Sequence, residues 1–149
     1  MSLTAKHWTW PQPYELVDHT ADTGVRVSGT TPEETLARLV LAQAQLLAGG
    51  VLPEGETRLE VAVAASDDLS LVAVDLLREL LRRFAVEQVI THTVLGVELA
   101  ADVVTLRLAA GRYDSVRHAN ATEIKAVTFH QASFARAGDH YVAQVLFDV

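Results

Sequence analysis

The chain carries two kinds of hydrophobic pattern, one with a period of two residues and one with helical spacing. Alternating apolar and polar positions are typical of a half-buried strand, and apolar positions three or four residues apart are typical of an amphipathic helix. The helical pattern occurs twice, after Thr31 and after Asp68. The alternating pattern predicts strands at 14–17, 25–29, 57–65, 88–99, 103–109, 124–134 and 141–148.

Short polar sequences mark the ends of both predicted helices. Thr31 is the predicted cap of the first helix, Pro32 suits its first position and Glu34 completes a capping box. This helix should end at residues 49–50, where two glycines supply a positive φ. The second helix is predicted to be capped within residues 66–68. Its predicted buried stripe consists of Leu69, Val72, Leu76, Leu77, Leu80, Leu81 and Phe84.

The order of these elements predicts an α+β fold. It favours a single domain in which two helices pack on a mostly antiparallel sheet. Residues 1–13 are predicted to be an extended lead-in segment, and residues 14–149 the folded domain. The last two strands should form a hairpin in which opposed positions sum to about 275. That register places Asp148 near Val127 and diagonal to Lys125.

The composition argues against several classes of function. The 149 residues include 19 acidic and 12 basic side chains, for a formal charge of −7, which is unlike a sequence-specific nucleic-acid binder. No apolar run approaches the ~20 residues that span a bilayer, and residues 1–13 lack the pattern of a signal peptide. No membrane association and a cytoplasmic location are therefore expected.

The chain also lacks the motifs of several common enzymes. The absence of cysteine excludes disulfides, thiol catalysis and zinc–sulfur sites. Neither the phosphate-binding pattern Gly-x-x-x-x-Gly-Lys nor the nucleophile pattern Gly-x-Ser-x-Gly occurs. These absences favour a binding or accessory protein over an autonomous enzyme.

A first group of candidate residues lies where the first predicted strand ends. Asp18, His19 and Asp22 fall within five residues. Oxygen ligands on a turn suit a hard cation such as Ca²⁺ or Mg²⁺. The alternative is ordinary turn chemistry, in which the aspartates accept hydrogen bonds from nearby backbone N–H groups.

A second group lies near the end of the chain. Asp148 closes an alternating strand pattern, so its carboxylate and an oxygen of Val149 could both face one ion. Lys125 lies inside a strand pattern and is either a partner for Asp148 or an exposed edge-strand lysine that hinders aggregation. Asp148 is alternatively an exposed terminal acid. His130 either pairs across the hairpin or is a half-exposed strand residue.

Two motifs in this chain resemble those of the archease family. The first is YELVDHTADTGV at residues 14–25, followed by GTTPEE at residues 29–34. The second is EIKAVTFH at residues 123–130 with the closing VLFDV at residues 145–149. The similarity extends from about residue 14 to the last residue, and the two motifs occur in the family's order. The chain departs from the family pattern at Thr23, usually aliphatic, and at Phe129, where tyrosine is commoner.

The resemblance implies an accessory protein of the RtcB-type RNA ligase, which joins tRNA exon halves and repairs broken RNA. Such an activator promotes the metal- and GTP-dependent guanylylation of the ligase and its multiple turnover, and is not itself an enzyme. By position, Asp22 and Asp148 correspond to the family's essential acids and metal ligands, with an oxygen of Val149 beside them. Lys125 corresponds to its essential lysine. The expected cofactors are a divalent cation (Ca²⁺, Mg²⁺ or Mn²⁺) and the GTP used by the partner ligase.

Two other functions stay open at this point. One is a stand-alone metal-dependent hydrolase or nucleotide-processing enzyme that uses Asp22, His19 and His130. The other is a chaperone-like binding protein, which would need a large exposed apolar patch. Since the apolar stripes of both predicted helices suit a core, the chaperone is the weakest of the three hypotheses.

Overall fold

The computed structural model describes residues 7–18 and 22–149. Within these residues two helices and eight strands form an α+β domain, which confirms the predicted fold class. The helices are α1 (Pro32–Leu47) and α2 (Leu69–Glu87). The strands are β1 (Trp8–Thr9), β2 (Glu15–Asp18), β3 (Asp22–Gly29), β4 (Glu54–Ala64), β5 (Val89–Leu99), β6 (Val103–Arg112), β7 (Ala126–Ala137) and β8 (His140–Asp148).

The strands form two four-stranded sheets, where the sequence pattern suggested one. The first sheet has the order β1-β5-β6-β4, and the second has the order β2-β3-β8-β7. Every neighbouring pair is antiparallel. In the second sheet β3 pairs with β8, so strands from opposite ends of the chain lie side by side.

Both helices lie between the sheets and contact each of them. Helix α1 contacts β5 of the first sheet and β3 and β8 of the second, and α2 contacts β4 and β5 on one side and β7 and β8 on the other. Eleven of the sixteen residues of α1 are buried, far more than the single stripe of a one-sided helix. The domain is therefore a three-layer arrangement whose core is shared by the two sheets.

The cap of α1 follows the prediction with one difference. The Thr31 hydroxyl accepts a hydrogen bond from the Glu34 N–H at 3.1 Å, as expected of a cap. The Glu34 carboxylate, however, accepts from the N–H of Thr30 at 2.7 Å and not from that of Thr31. The helix ends at the C-cap Ala48, and the following Gly49 and Gly50 have φ values of +61° and +80°, as predicted.

Three strand predictions need correction in detail. The lead-in segment contains a short strand, β1, too brief for alternation to reveal, and residues 1–6 of that segment lie outside the described residues. Strand β6 continues to Arg112, three residues beyond its predicted end. In the final hairpin Val127 pairs with Phe147 at one end, but β7 contains surplus residues between Thr128 and Ser133.

Candidate metal centre

Asp22 and Asp148 lie directly opposite each other at one end of the second sheet. They are paired residues in the β3–β8 ladder, and Ala126 of β7 faces Asp148 on the other side. Residues directly opposite in antiparallel strands have Cβ atoms about 4.5–5.5 Å apart. Two acids that are 126 positions apart in the chain are thus neighbours in space.

The buried residues of both strands determine where these acids point. Val25 of β3 pairs with Val145 of β8, Phe147 lies opposite Thr23, and the three apolar side chains are fully buried against the helices. Because side chains alternate along a strand, Asp148 then lies on the opposite, outer face. A shift of one residue would turn the whole apolar set outward, so the core itself enforces the alignment of the acids.

Gly24, two residues after Asp22 in β3, allows a close contact between β3 and β8. It pairs with Leu146, and a Cβ at Gly24 would lie 2.5 Å from Leu146 Cδ2 and 2.6 Å from the Val145 carbonyl oxygen. A glycine within a strand often marks such a close approach. The Leu146 side chain, although it belongs to the outer face, is fully buried.

Lys125 borders the acid pair through its backbone. Its N–H donates a hydrogen bond of 2.8 Å to the Asp148 carbonyl oxygen, just before β7 begins. The neighbouring Ile124 is buried in the core, whereas Lys125 is exposed. Among residues 7–18 and 22–149 no ion pair joins the Lys125 ammonium to a carboxylate, so the described contact with Asp148 is through the backbone alone.

Val149 follows the end of β8 and is about half exposed. The main-chain carbonyl oxygen of Asp148 already accepts the hydrogen bond from Lys125. Among the described contacts at this end of β8, the carboxylate of Asp148 and the main-chain oxygen of Val149 accept no hydrogen bond. Oxygen ligands of this kind fit a hard divalent cation.

The remaining predicted site residues are not brought to the acid pair. Asp18 lies opposite Thr23, which belongs to the inner face, so it points away from the face that carries Asp22. His19 falls outside the described residues. His130 is exposed in the irregular part of β7, where its N–H donates to the Thr128 hydroxyl at 3.1 Å. Within the described part of the chain no three histidine or acidic side chains cluster closely enough to hold a metal.

The three clustered arginines of α2, Arg78, Arg82 and Arg83, divide into two groups. Arg82 and Arg83 both pair with Glu79 on the helix surface. Arg78 instead donates from Nε to the Val127 carbonyl oxygen at 3.0 Å, next to the acid pair. Nothing in a helical spacing pattern reveals such a contact, since its acceptor is a backbone atom 49 residues away.

A large cleft lies on another part of the domain, away from the acid pair. A cleft of about 600 Å³ is lined mainly by the first sheet, including Glu60, Glu98 and Arg107, and neither acid of the pair lines it. At the acid pair itself Asp148 is exposed and Asp22 is partly exposed. Neither helix is long and apolar enough to cross a membrane.

The fold and site define a class: a small three-layer α+β protein with two facing carboxylates, bordered by a lysine, at the exposed end of a sheet. The chain belongs to the archease family. The model of that family, described as "Archease protein family (MTH1598/TM1083)", matches residues 14–149.

Named relatives and solved structures agree with this assignment. The chain is 34% identical to Protein archease of Methanosarcina mazei over 91% of this chain and 95% of the relative. It is 32% identical to Protein archease of Methanopyrus kandleri over 92% and 99% of the two chains.

Two solved structures share the fold. The solution structure of Protein 1598 of Methanobacterium thermoautotrophicum superposes with a TM-score of 0.72 at 26% identity, covering 91% of this chain and 98% of that one. A crystal structure of an archease from Thermotoga maritima, described as a possible chaperone, gives a TM-score of 0.60 at 20% identity, covering 93% and 97%. At that identity the second likeness bears on the fold alone.

Proposed function

We propose that this protein activates an RtcB-type RNA ligase in tRNA splicing and RNA repair, by promoting the metal- and GTP-dependent guanylylation of the ligase and its multiple turnover. The observation that carries the proposal is the direct pairing of Asp22 with Asp148, beside Lys125, in a chain of the archease family. In this proposal the protein is an accessory protein, and the covalent chemistry belongs to its partner.

The chemistry of the paired carboxylates supports a role in handling a divalent cation. Like charges directly opposite in a sheet destabilise it, and a cation bound between them removes that repulsion. Asp22, Asp148 and a main-chain oxygen of Val149 would supply oxygen ligands for Ca²⁺, Mg²⁺ or Mn²⁺. When bound, such a cation neutralises charge that develops on a reacting phosphate.

The exposure of Asp148 supports delivery to a partner. An exposed carboxylate such as that of Asp148 can approach the nucleotide site of another protein without any rearrangement of the core. In this arrangement Lys125 contacts a phosphate of the nucleotide or an acid of the ligase, since its ammonium is exposed. The acidic chain, with a formal charge of −7, is not expected to bind RNA directly.

Guanylylation of the cognate ligase by radiolabelled GTP at limiting Mg²⁺ or Mn²⁺ tests the proposal. Wild-type protein should accelerate labelling, and Asp22→Ala and Asp148→Ala should abolish the acceleration while the proteins stay folded. Asp18→Ala is the matched control, because it removes an acid from the same segment but from the other face of the sheet. Full stimulation by Asp22→Ala would contradict the proposal.

The same assay distinguishes the activator from the stand-alone enzyme. Metal-dependent turnover of GTP by this protein in the absence of ligase would favour a nucleotide-processing enzyme. No described contact brings His130 to Asp22, and that combination is what the enzyme hypothesis requires.

A further inference from the structure

Strand β7 contains an irregular segment beside the acid pair. Thr128 is opposite Leu146 and Ser133 is opposite Gln144, so residues 129–132 face the single residue Val145. A regular ladder would place one residue there. We call residues 129–132 the β7 bulge.

Hydrogen bonds from three strands hold the β7 bulge in place. Gln144 donates from Nε2 to the Gln131 carbonyl oxygen at 3.2 Å, and its Oε1 accepts from Arg26 at 2.6 Å. The His130 N–H donates to the Thr128 hydroxyl. Ala132 packs against the core. The bulge is thus an ordered part of the sheet and not a frayed edge.

The backbone of the bulge is in an uncommon conformation. Gln131 has φ = +57°, in the left-handed region that non-glycine residues rarely occupy. Such a conformation is unfavourable and persists when its surroundings over-determine it, most often at functional sites. Bulges are also enriched next to active sites, where they redirect side chains.

The bulge exposes an aromatic side chain on β7, an edge strand of the second sheet. Phe129 is 43% exposed, and His130 and Gln131 beside it are exposed. Because Phe129 is three residues from Ala126, the residue that faces Asp148, their Cα atoms are at most about 11 Å apart. A surface that engages a partner through the acids would therefore reach Phe129 as well.

The chemistry of the bulge fits a protein surface and not a phosphate backbone. It contains no lysine or arginine, in a chain with an excess of acidic residues. Nucleic-acid contacts depend on such cations. An exposed aromatic residue flanked by polar groups is instead typical of the few anchors that dominate a protein–protein interface.

We propose that the β7 bulge is the docking element for the ligase, with Phe129 inserted into an apolar pocket of that partner and His130 at its polar rim. The relay from Arg26 through Gln144 to Gln131 positions the bulge. This inference rests on the proposed function, since it names the surface through which the acid pair is presented.

Binding and activation must be measured separately to test it. Calorimetry of the protein with its cognate ligase gives the affinity, and guanylylation at increasing protein concentration gives the half-saturating concentration and the maximal stimulation. Phe129→Ala should raise the dissociation constant and the half-saturating concentration about tenfold or more, with the maximal stimulation retained. Phe129→Tyr should behave as wild type. Gln144→Leu should weaken binding in the same direction, because it releases the bulge.

Two other variants separate docking from activation. Asp22→Ala should show the reverse pattern, with binding retained and stimulation lost. Val86→Ala removes an apolar side chain that is 69% exposed on α2, far along the chain from the bulge, and should change neither measurement. Thermal unfolding of each variant establishes that it is folded.

Each remaining outcome decides the matter. Wild-type affinity in a folded Phe129→Ala protein would overturn the docking role, as would unchanged affinity with reduced maximal stimulation, which would indicate contact with the nucleotide. If wild-type protein binds the ligase without stimulating it, the proposed function fails, and a weaker Phe129→Ala complex still supports docking. An absence of binding by the wild-type protein would overturn both.

Discussion

Gly24 has no side chain in a place where a neighbouring strand leaves no room for one. A Cβ there would meet both the flexible end of Leu146 and the backbone oxygen of Val145, and the backbone cannot move without disturbing β8. Gly24→Ala should therefore lower the free energy of unfolding by about 1–3 kcal/mol. Urea unfolding measures this, with Ser28→Ala, an exposed change on the same strand, as the control. Equal stability of the two variants would contradict the close packing.

The pairing of Asp22 with Asp148 predicts a change in the free energy of unfolding whose sign depends on the presence of a divalent cation. Without divalent cations, Asp22→Asn removes a like-charge contact with Asp148 and should raise the free energy of unfolding by roughly 0.5 kcal/mol, less at high salt. With saturating Mn²⁺ or Mg²⁺ the order should reverse, because only the wild type retains both ligands. Thermal unfolding with and without the cation measures both effects. Asp18→Asn is the control and should shift with the cation as wild type does. An equal cation-induced shift in Asp22→Asn would exclude the site.

The cap of α2 predicts a dependence of stability on pH. Asp68 accepts hydrogen bonds from the Ser70 hydroxyl and N–H, and these bonds hold the pKa of its carboxyl below the ordinary value of 3.8. A carboxyl whose pKa is lower in the folded state stabilises the fold above its unfolded pKa. That contribution is lost as pH falls through the folded pKa.

The difference between wild type and Asp68→Ala should thus be largest near neutral pH and shrink below about pH 3.8. Urea unfolding at pH 7 and pH 3 measures it. Asp67→Ala removes the neighbouring exposed acid, which accepts no hydrogen bond among the described contacts, and is the matched control. A difference that grows toward low pH would contradict this account of the cap.

At the scale of elements, the local sequence pattern predicted most helices and strands. It did not predict that the strands divide into two sheets. The caps of α1 and α2 follow from three or four adjacent residues, so Thr31 and Asp68 were recognisable. The second sheet depends on β3 pairing with β8 across the length of the chain, which no local pattern encodes. One signal did exist: α1 is apolar nearly all round, as a helix between two layers must be.

The candidate site was predictable to a similar degree. Asp22, Lys125 and Asp148 were identified through the resemblance to a family, and the hairpin register placed Lys125 beside Asp148. The proximity of Asp148 and Lys125 to Asp22 depends on the pairing of β3 with β8, which the sequence did not predict. The β7 bulge was invisible because its left-handed residue is Gln131, and turn patterns depend on glycine or asparagine at such positions.

Helix α2 secures the first residues of β7 through one side chain. Arg78 donates to the Val127 carbonyl oxygen on the edge of the second sheet. Arg78→Met keeps most of the aliphatic stem but removes this donor, and should lower the free energy of unfolding by about 1 kcal/mol. Hydrogen exchange at residues 125–128 should become faster. Arg82→Met, which breaks only a surface pair with Glu79, should leave that exchange unchanged. Equal exchange in both variants would show that β8 alone holds this segment.

At the scale of the whole molecule, the shared helix layer predicts that both sheets unfold together. Leu41 of α1 is fully buried in the core that joins them. Leu41→Ala should cost about 2–5 kcal/mol, because the cavity it leaves cannot close without moving one of the sheets. Native-state hydrogen exchange should then show the most protected amides of β6 and of β8 losing protection by the same free energy, since one helix supports both.

The matched control is Leu52→Ala, a leucine that is about half exposed, which should change neither set of amides appreciably. If β6 kept its protection in Leu41→Ala while β8 lost it, the sheets would be separate cooperative units. The acid pair could then open without unfolding the rest. Equal loss would instead mean that the alignment of Asp22 with Asp148 is as stable as the domain itself, so a cation bound between them would stabilise the entire three-layer fold.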